Sequence, residues 1–434
     1  MKEIGVGILG FGTVGAGVAD GLLRNRETFA QRLGVDVVLR KIADLDITRD
    51  RGVTIPEGIL TTDASSVISD PSIDIIVELI GGIGIAKKFI LDAIRAKKSV
   101  VTANKKLLAE CGSEIFGAAG EAGVDIYFGA AVGGGIPIIR SLREGLAGNE
   151  IESIKGILNG TCNYILTRMA REGARFDEVL KDAQRLGFAE ADPTLDIDGW
   201  DTAHKASILA SLAYGFFISP HDFEVKGIRD LSTVDVTYAK ELGYSIKLVA
   251  HVSREGDEVG VRVSPTLVPE NHLLAAVNDV FNAVLVHGDL SDDLMFYGKG
   301  AGRAPTASTV LGDIGDIARN ISNGGARYKS AISVANEGIL ALKVPANNVS
   351  SFYVRMMVED RCGTLGKLTT IFGEHGVSIL QATSHKQLKG HEVEGAIPVV
   401  IRTHKASSGA VDSALEEIES AGIIRGKAIK MCMI

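Results

Sequence analysis

The stretch Ile4-Gly5-Val6-Gly7-Ile8-Leu9-Gly10-Phe11-Gly12-Thr13-Val14-Gly15-Ala16-Gly17 is an apolar run of strand length ending in a glycine-rich hexad. Residues Gly10-Phe11-Gly12-Thr13-Val14-Gly15 fit Gly-x-Gly-x-x-Gly at the point where a strand should become a helix. Each glycine has its own task. Gly10 permits a tight turn, Gly12 lets a pyrophosphate approach the backbone, and Gly15 lets the helix pack closely on the strand. The N–H groups of the helix's first turn then face the phosphates, with the helix dipole assisting. Such a hexad also arises by chance, and six glycines in 14 residues could pass for an export signal or membrane span. The uncharged run from 4 to 19 is too short for a span, which needs about 20 residues, and Glu3 spoils a basic leader. The strand-then-helix context favours a dinucleotide.

A chain of 434 residues has room for two to four domains at ~150 residues each. An apolar content of 46% allows sizeable cores. A net charge of −8 argues against nucleic acid or an anionic membrane as the main partner. Cys111, Cys162, Cys362 and Cys432 are far apart, with no Cys-x-x-Cys pair, and read as reduced thiols of a cytoplasmic protein. The nine histidines show no zinc-ligand spacing.

From residue 4 to about 130, β-branched runs alternate with helical patterns. Strands are expected at Ile4–Leu9, Val35–Ala43, Ile73–Leu79, Ser99–Ala103 and Val124–Phe128. Helices are expected near Thr13–Phe29, Ala64–Ser69, Ala86–Lys97 and Lys105–Ala122. That alternation predicts an α/β fold with a Rossmann-type doubly wound parallel sheet, its cofactor crevice at the strand ends. The second strand ends near Asp44, with Arg40, Lys41, Arg49 and Arg51 close by. An acid there suits the ribose of NAD and bases suit the 2′-phosphate of NADP, so the choice between them stays open. Lys105, just past the fourth strand, is either a solvated lysine or a contact in the crevice; a cation is misplaced at a helix start, which favours a functional role.

Gly133-Gly134-Gly135-Ile136-Pro137 reads equally as a ligand-holding turn or a hinge. Beyond it the alternation weakens, and an α+β region is expected. Ile151–Leu158 reads as a strand, followed by Asn159-Gly160-Thr161-Cys162-Asn163 and a helix. A helix over Asp177–Leu186 stops at Gly187, and the densest acidic stretch follows: Glu190, Asp192, Asp196, Asp198 and Asp201, then Lys205. A calcium loop is excluded because its twelve-residue spacing and closing glutamate are missing. Asp201 and Lys205 share a helix face at i, i+4. Spacing alone favours an ordinary ion pair worth ~0.3–0.5 kcal/mol. The alternative is a lysine held by a carboxylate as general acid/base.

Strands are expected again at Ile246–Ser253, Val259–Val268 and Ala283–Val286. Tyr297–Thr306 is read as a glycine-rich turn opening a helix that returns to the first domain. Residues 321–350 read as a linker. Ser351 onward follows the order βαββαβ, the ferredoxin-like arrangement. The expected division is 1–135 for dinucleotide binding (with 300–320 returning to it), 136–320 for the α+β region, 321–350 for the linker, and 351–434 for the βαββαβ module.

Taken together, the chain resembles the homoserine dehydrogenase family. The resemblance rests on Gly10–Gly15, Thr102-Ala103-Asn104-Lys105, Gly133–Pro137, Asn159–Tyr164, Asp201-x-x-x-Lys205 and Gly300-Ala301-Gly302-Arg303-x-Pro305-Thr306, all in order. The tail resembles an ACT domain, whose turn usually reads Asp-x-Pro-Gly-x-Leu. The resemblance implies NAD- or NADP-dependent interconversion of L-homoserine and L-aspartate 4-semialdehyde, on the way to threonine, methionine and isoleucine. It implies Lys205 as acid/base with Lys105 nearby, and Glu190, Asp201 and Asp196 as homoserine ligands. Thr13 and Val14 within the hexad would contact the cofactor, joined by Lys105, Gly187 and Gly302. A sodium ion would be held by backbone oxygens of Gly129, Val132, Gly134 and Ile136. Threonine would act as effector at the ACT turn bearing Asp360 and Gly363, and the chain would form a homodimer or homotetramer. Two departures stand out: Gly129 replaces a usual glutamate, and Cys362 replaces the usual turn proline. Two other classes compete, an amino-acid sensor using the dinucleotide as ligand and another ACT-bearing dehydrogenase. The first conflicts with the intact Lys105, Lys205 and Glu190; the second would want Arg and His where this chain is acidic.

Overall fold

In the computed structural model, which describes residues 2–324, 332, 340–384 and 393–434, the opening run forms β1 (Glu3–Leu9). Its Ile4, Val6, Ile8 and Leu9 are fully buried. Beside it lie β2 (Asp36–Ala43), β3 (Leu60–Thr61), β4 (Ile75–Glu78), β5 (Ser99–Thr102) and β6 (Ile126–Tyr127), in the parallel order β3-β2-β1-β4-β5-β6. Strands covered on both faces read as unbroken apolar runs, and β4 and β5 are buried at every position. The order reverses between β1 and β4, which places the crevice beside the end of β1. Register sets Leu9 against both Ala43 and Glu78, so three strand ends stop level.

Separate cores cover the two faces of this sheet. One joins β1 to the helices Thr13–Arg24 and Arg303–Ser322; the other joins Ile76 and Val100 to the helices Gly84–Arg95 and Lys105–Ala122. The chain divides into two compact units: Met1–Glu152 with His204–Asp222 and Asn282–Leu340, and Ser153–Ala203 with Phe223–Phe281 and Ala341–Ile434.

In the second unit, Tyr244–Glu255 and Glu258–Pro269 pair antiparallel along their whole length. Ile429–Met433 then joins Glu258–Pro269 in parallel, Thr266 against Cys432 and Leu267 against Met433. The same short strand pairs antiparallel with Val349–Glu359, and Ala396–Thr403 and Ile379–Ser384 follow. With the helices Thr364–Glu374 and Ser408–Ser420 this is the expected βαββαβ module, with a core around Phe352, Leu368, Phe372 and Ile418.

Several sequence expectations need correction. The helix over Thr13–Phe29 is two helices, Thr13–Arg24 and Arg26–Leu33, interrupted at Asn25, a poor helix former. Tyr297–Lys299 belongs to a strand, Asp292–Lys299, whose acidic start hid its character. The linker is shorter than 321–350. The Arg303 helix runs to Ser322, Ala341–Leu342 pairs with Glu258 and Val259, and Asn348 is buried beside Gly260. Residues 325–331 and 333–339 of that stretch lie outside the described residues.

Asp235 is fully buried, its carboxylate gripped by both arms of Arg355 at 2.6 and 3.2 Å. It also accepts from Ser232 N and Oγ, at 3.0 and 2.9 Å, at the start of the helix Thr233–Glu241. One carboxylate thus ties the module's first strand to that helix. Removing one partner of a buried pair leaves an uncompensated charge. Arg355→Met is expected to cost about 3–5 kcal/mol of unfolding free energy in urea. A loss below 1 kcal/mol would show that the pair carries no structural weight.

Candidate active site

The hexad forms the expected strand-to-helix turn. Gly10 N donates to Ala43 O at 2.8 Å, and a Cβ on Gly10 would stand 2.7 Å from the Leu79 carbonyl. Gly10 has φ +101° and needs to be glycine for both reasons. A Cβ on Gly15 would run into Gly10 O, whereas around Gly12 the space is open. Gly12 heads the helix Thr13–Arg24, which has no side-chain cap and no acid in its first turn. Unused N–H groups beside an open backbone suit an anion, so the cradle fits a dinucleotide's pyrophosphate. Phe11 is buried, and its N–H donates to Asp44 Oδ2 at 2.5 Å; Asp44 Oδ1 accepts from Asp46 N and lies 3.6 Å from Arg51.

The neighbouring strand end holds a residue that sequence reasoning missed. Glu78, fully buried, accepts from Ile80 N at 2.8 Å, Gly81 N at 3.1 Å and Thr102 Oγ1 at 2.7 Å. It shapes the turn after β4 and ties it to the end of β5. Asn104 continues the chain of bonds, donating to Gly82 O and capping the helix Lys105–Ala122. Lys105 is therefore the first residue of that helix, half-buried. The only sequence signal for Glu78 was an acid closing an otherwise apolar strand.

Lys205 is buried on the helix Trp200–Tyr214, one turn after Asp201. The preceding residue, buried His204, places Nε2 3.4 Å from Glu110, and His221 places its own 3.0 Å from the same carboxylate. Glu110 belongs to the helix that Lys105 opens. Glu110 and His204 thus link the helix that Lys105 opens to the one that carries Lys205.

In the second unit the Asn159–Cys162 motif opens the helix Gly160–Glu172 and reaches into the acidic segment. Asn159 Nδ2 donates to Asp196 Oδ1 at 2.7 Å and to Asp201 Oδ2 at 2.8 Å. Thr161 Oγ1 donates to Phe188 O at 2.7 Å and Cys162 Sγ to Asp196 O at 3.1 Å. Asp196 and Asp201 are brought together; Glu190 is not joined to them by any hydrogen bond and is exposed. Gly187 is exposed at φ +76° after the helix Phe176–Arg185. In the ACT-like module Gly363, at φ +85°, precedes the helix Thr364–Glu374, and Asp360 and Cys362 are exposed.

Comparison with known proteins identifies the family. Residues 137–314 match the family model "Homoserine dehydrogenase", residues 10–129 its NAD binding domain, and residues 352–420 the ACT domain. The chain is 40% identical to a homoserine dehydrogenase of Bacillus subtilis (strain 168), covering 98% of this chain and 97% of that protein. The chain belongs to the homoserine dehydrogenase family. It is an NAD(P)-dependent oxidoreductase acting on a CH–OH group. A homoserine dehydrogenase crystal structure from Thiobacillus denitrificans superposes with TM-score 0.94 at 40% identity, covering 100% of this chain and 99% of that one. A hyperthermophilic archaeal homoserine dehydrogenase in complex with NADPH matches with TM-score 0.60 at 28% identity, covering 72% of this chain and 96% of that one. The resemblance, the fold class and the enzyme class read from the sequence are borne out.

Against this family background, the triple-glycine turn is packed by backbone. A Cβ on Gly134 would stand 2.5 Å from Gly300 O, and one on Gly300 would collide with Asn282 Oδ1. Thr309 Oγ1 donates to Gly134 O at 2.7 Å, and Gly135 N to Lys299 O at 3.2 Å. The turn therefore seats the loop that ends at Gly302 (φ +126°), the residue heading the helix Arg303–Ser322. Val132 and Ile136 are buried in this turn. Among the described residues no cluster of three or more His, Cys, Asp or Glu side chains could hold a metal ion.

Gly129 donates its N–H to Asp313 Oδ2 at 2.8 Å, and a Cβ there would stand 2.9 Å from Asp313 Oδ1. Burial pushes the Asp313 carboxyl up to about 7, outweighing its hydrogen bond from Gly129 and the nearby Arg143. Because the folded value lies above the unfolded one, the stability this group contributes is complete below about pH 4 and is lost as pH rises through 7. Asp313→Asn keeps the acceptor for Gly129 without the charge. Thermal unfolding at pH 4 and pH 8 should show wild type losing on the order of 3 kcal/mol more than the variant between them. Parallel losses in the two proteins would exclude a buried titration at Asp313.

Proposed function

We propose that this chain interconverts L-homoserine and L-aspartate 4-semialdehyde with NAD or NADP, in the supply of threonine, methionine and isoleucine. The observation that carries the reading is the Asp196–Asp201 carboxylate pair on the Asn159 amide, one helical turn before buried Lys205. Paired carboxylates suit the ammonium group of homoserine, and Glu190 adds a third. When bound, the dinucleotide accepts or supplies the hydride. The hexad Gly10–Gly15 holds its pyrophosphate, and Lys105, Gly187 and Gly302 complete its contacts. Lys205 serves the reacting oxygen: as neutral amine it takes the hydroxyl proton during oxidation, and as ammonium it returns one during reduction. Lysine is suited to this because desolvation readily adjusts its proton affinity.

Threonine is the proposed effector, bound at the turn with Asp360 and Gly363. Cys362 there lacks the proline's fixed backbone, so the turn relies on Gly363 for its left-handed residue. The functional state is proposed to be a cytoplasmic homodimer or homotetramer, with the partly exposed strand Asp292–Lys299 facing a second copy. A sodium ion would use carbonyl oxygens of Gly129, Val132, Gly134 and Ile136. Gly134 O and Ile136 O each already accept one hydrogen bond, from Thr309 and Ile138, and would offer their remaining lone pair.

Lys205→Ala is expected to lower turnover about 10²–10⁴-fold while dinucleotide affinity stays near normal. Turnover within threefold of wild type would remove Lys205 from the chemistry. Oxidation of NADPH or NADH with aspartate semialdehyde, with and without threonine, measures cofactor preference and inhibition together. Asp360→Asn should weaken any threonine inhibition and leave the uninhibited rate unchanged; unaltered inhibition would move the effector elsewhere.

A further inference from the structure

The residue that holds the two carboxylates has two separable jobs. Asn159 follows the strand Ile151–Ile157 in extended backbone, φ −121° and ψ 114°, and its Oδ1 accepts from Cys162 N at 2.7 Å to cap the helix Gly160–Glu172. That bond fixes which end of the amide is which, because an inverted amide would set its hydrogens against the Cys162 N–H. Both Nδ2 hydrogens are therefore turned to the acidic segment and spent there, on Asp196 Oδ1 and Asp201 Oδ2. Asn159 and Asp201 are each only 5% exposed, so water has little room to replace this donor.

We infer that Asn159 is a positioning residue for the substrate carboxylates, keeping Asp196 and Asp201 charged and at a fixed separation so that they receive an ammonium group. The inference rests on the proposed homoserine site. Two carboxylates this close resist joint ionisation, and hydrogen bonds to the charged forms offset that resistance. Without the donor, one carboxyl retains its proton to a higher pH and the pair swings apart. Substrate binding suffers first; the dinucleotide cradle uses other atoms.

Serine and threonine also cap helices, so they separate the two jobs. In the full-length protein, Asn159→Ser and Asn159→Thr both keep an oxygen for Cys162 N and both lose the two-hydrogen amide donor. Each is expected to unfold close to the wild-type temperature and to raise KM for homoserine at least tenfold, a larger factor than any fall in kcat. Dinucleotide affinity should hold, and the acid limb of the kcat/KM profile should move up by about one pH unit. A folded variant of either kind whose KM and acid limb stay within twofold of wild type overturns the inference, since capping alone would then explain Asn159. Asp196→Asn and Asp201→Asn, assayed alongside, isolate the underlying reading. If these also leave KM unchanged, the substrate site itself is misplaced; if they raise it while the Asn159 variants do not, only the positioning role fails.

Discussion

Two carboxylate oxygens hydrogen-bonded to one amide nitrogen at 2.7 and 2.8 Å are at most about 5.5 Å apart. At an effective dielectric near 20, two unit charges at that distance repel by about 3 kcal/mol. A fold that keeps such a pair must hold it from several directions. Here the start of one helix does so: Asn159 supplies the donors, Thr161 fixes the carbonyl of Phe188, and Cys162 fixes that of Asp196. The segment 188–199 has little regular structure beyond the single turn Thr194–Ile197, so these bonds take the place of a sheet or long helix in shaping it before Asp201 enters the helix Trp200–Tyr214. An irregular loop is thus given precision by a rigid neighbour.

The sequence announced the nucleotide half of the molecule plainly, because its signals are local. A tight turn, an open helix end and a continuous apolar strand are properties of a dozen neighbouring residues, and β1 with its hexad has all three. Glu78 was invisible for the opposite reason. Its partners are the turn after its own strand and Thr102, whose hydroxyl comes from the next strand of the sheet, and an acid ending a strand carries no message until that neighbour is known. Glu110 hides in the same way, since His204 and His221 reach it from about a hundred residues on. Asp201 and Lys205 lie between these extremes. Their spacing fits thousands of surface ion pairs, and only burial distinguishes them.

Two residues that depart from the expected motifs answer to volume and to backbone shape. Gly129 removes a side chain, and Asp313 brings a carboxylate to the space a Cβ would need. That carboxylate comes from a helix more than 180 residues later in the chain and is buried. Cys362 is a different kind of departure, in an exposed turn where Gly363 alone supplies the left-handed residue that leads into the helix.

The ladder between Glu258–Pro269 and Ile429–Met433 also has a kinetic side. Its paired residues, Thr266 with Cys432 and Leu267 with Met433, are separated by roughly 165 positions, and the strand that completes it is itself the closing strand of the βαββαβ module. Contacts of such long sequence separation form only after the intervening chain has surrendered its loop entropy. The long hairpin of Tyr244–Glu255 with Glu258–Pro269 joins neighbours in sequence and can close early, leaving one edge of its second strand waiting. In the native sheet three short strands close that edge piecewise: Ala341–Leu342 at Glu258 and Val259, Glu224–Val225 at Arg262 and Val263, and Ile429–Met433 at Thr266 and Leu267. Protection of this strand against pairing with another chain is thus completed by separate segments of the sequence, and losing any one of them would bare part of the edge.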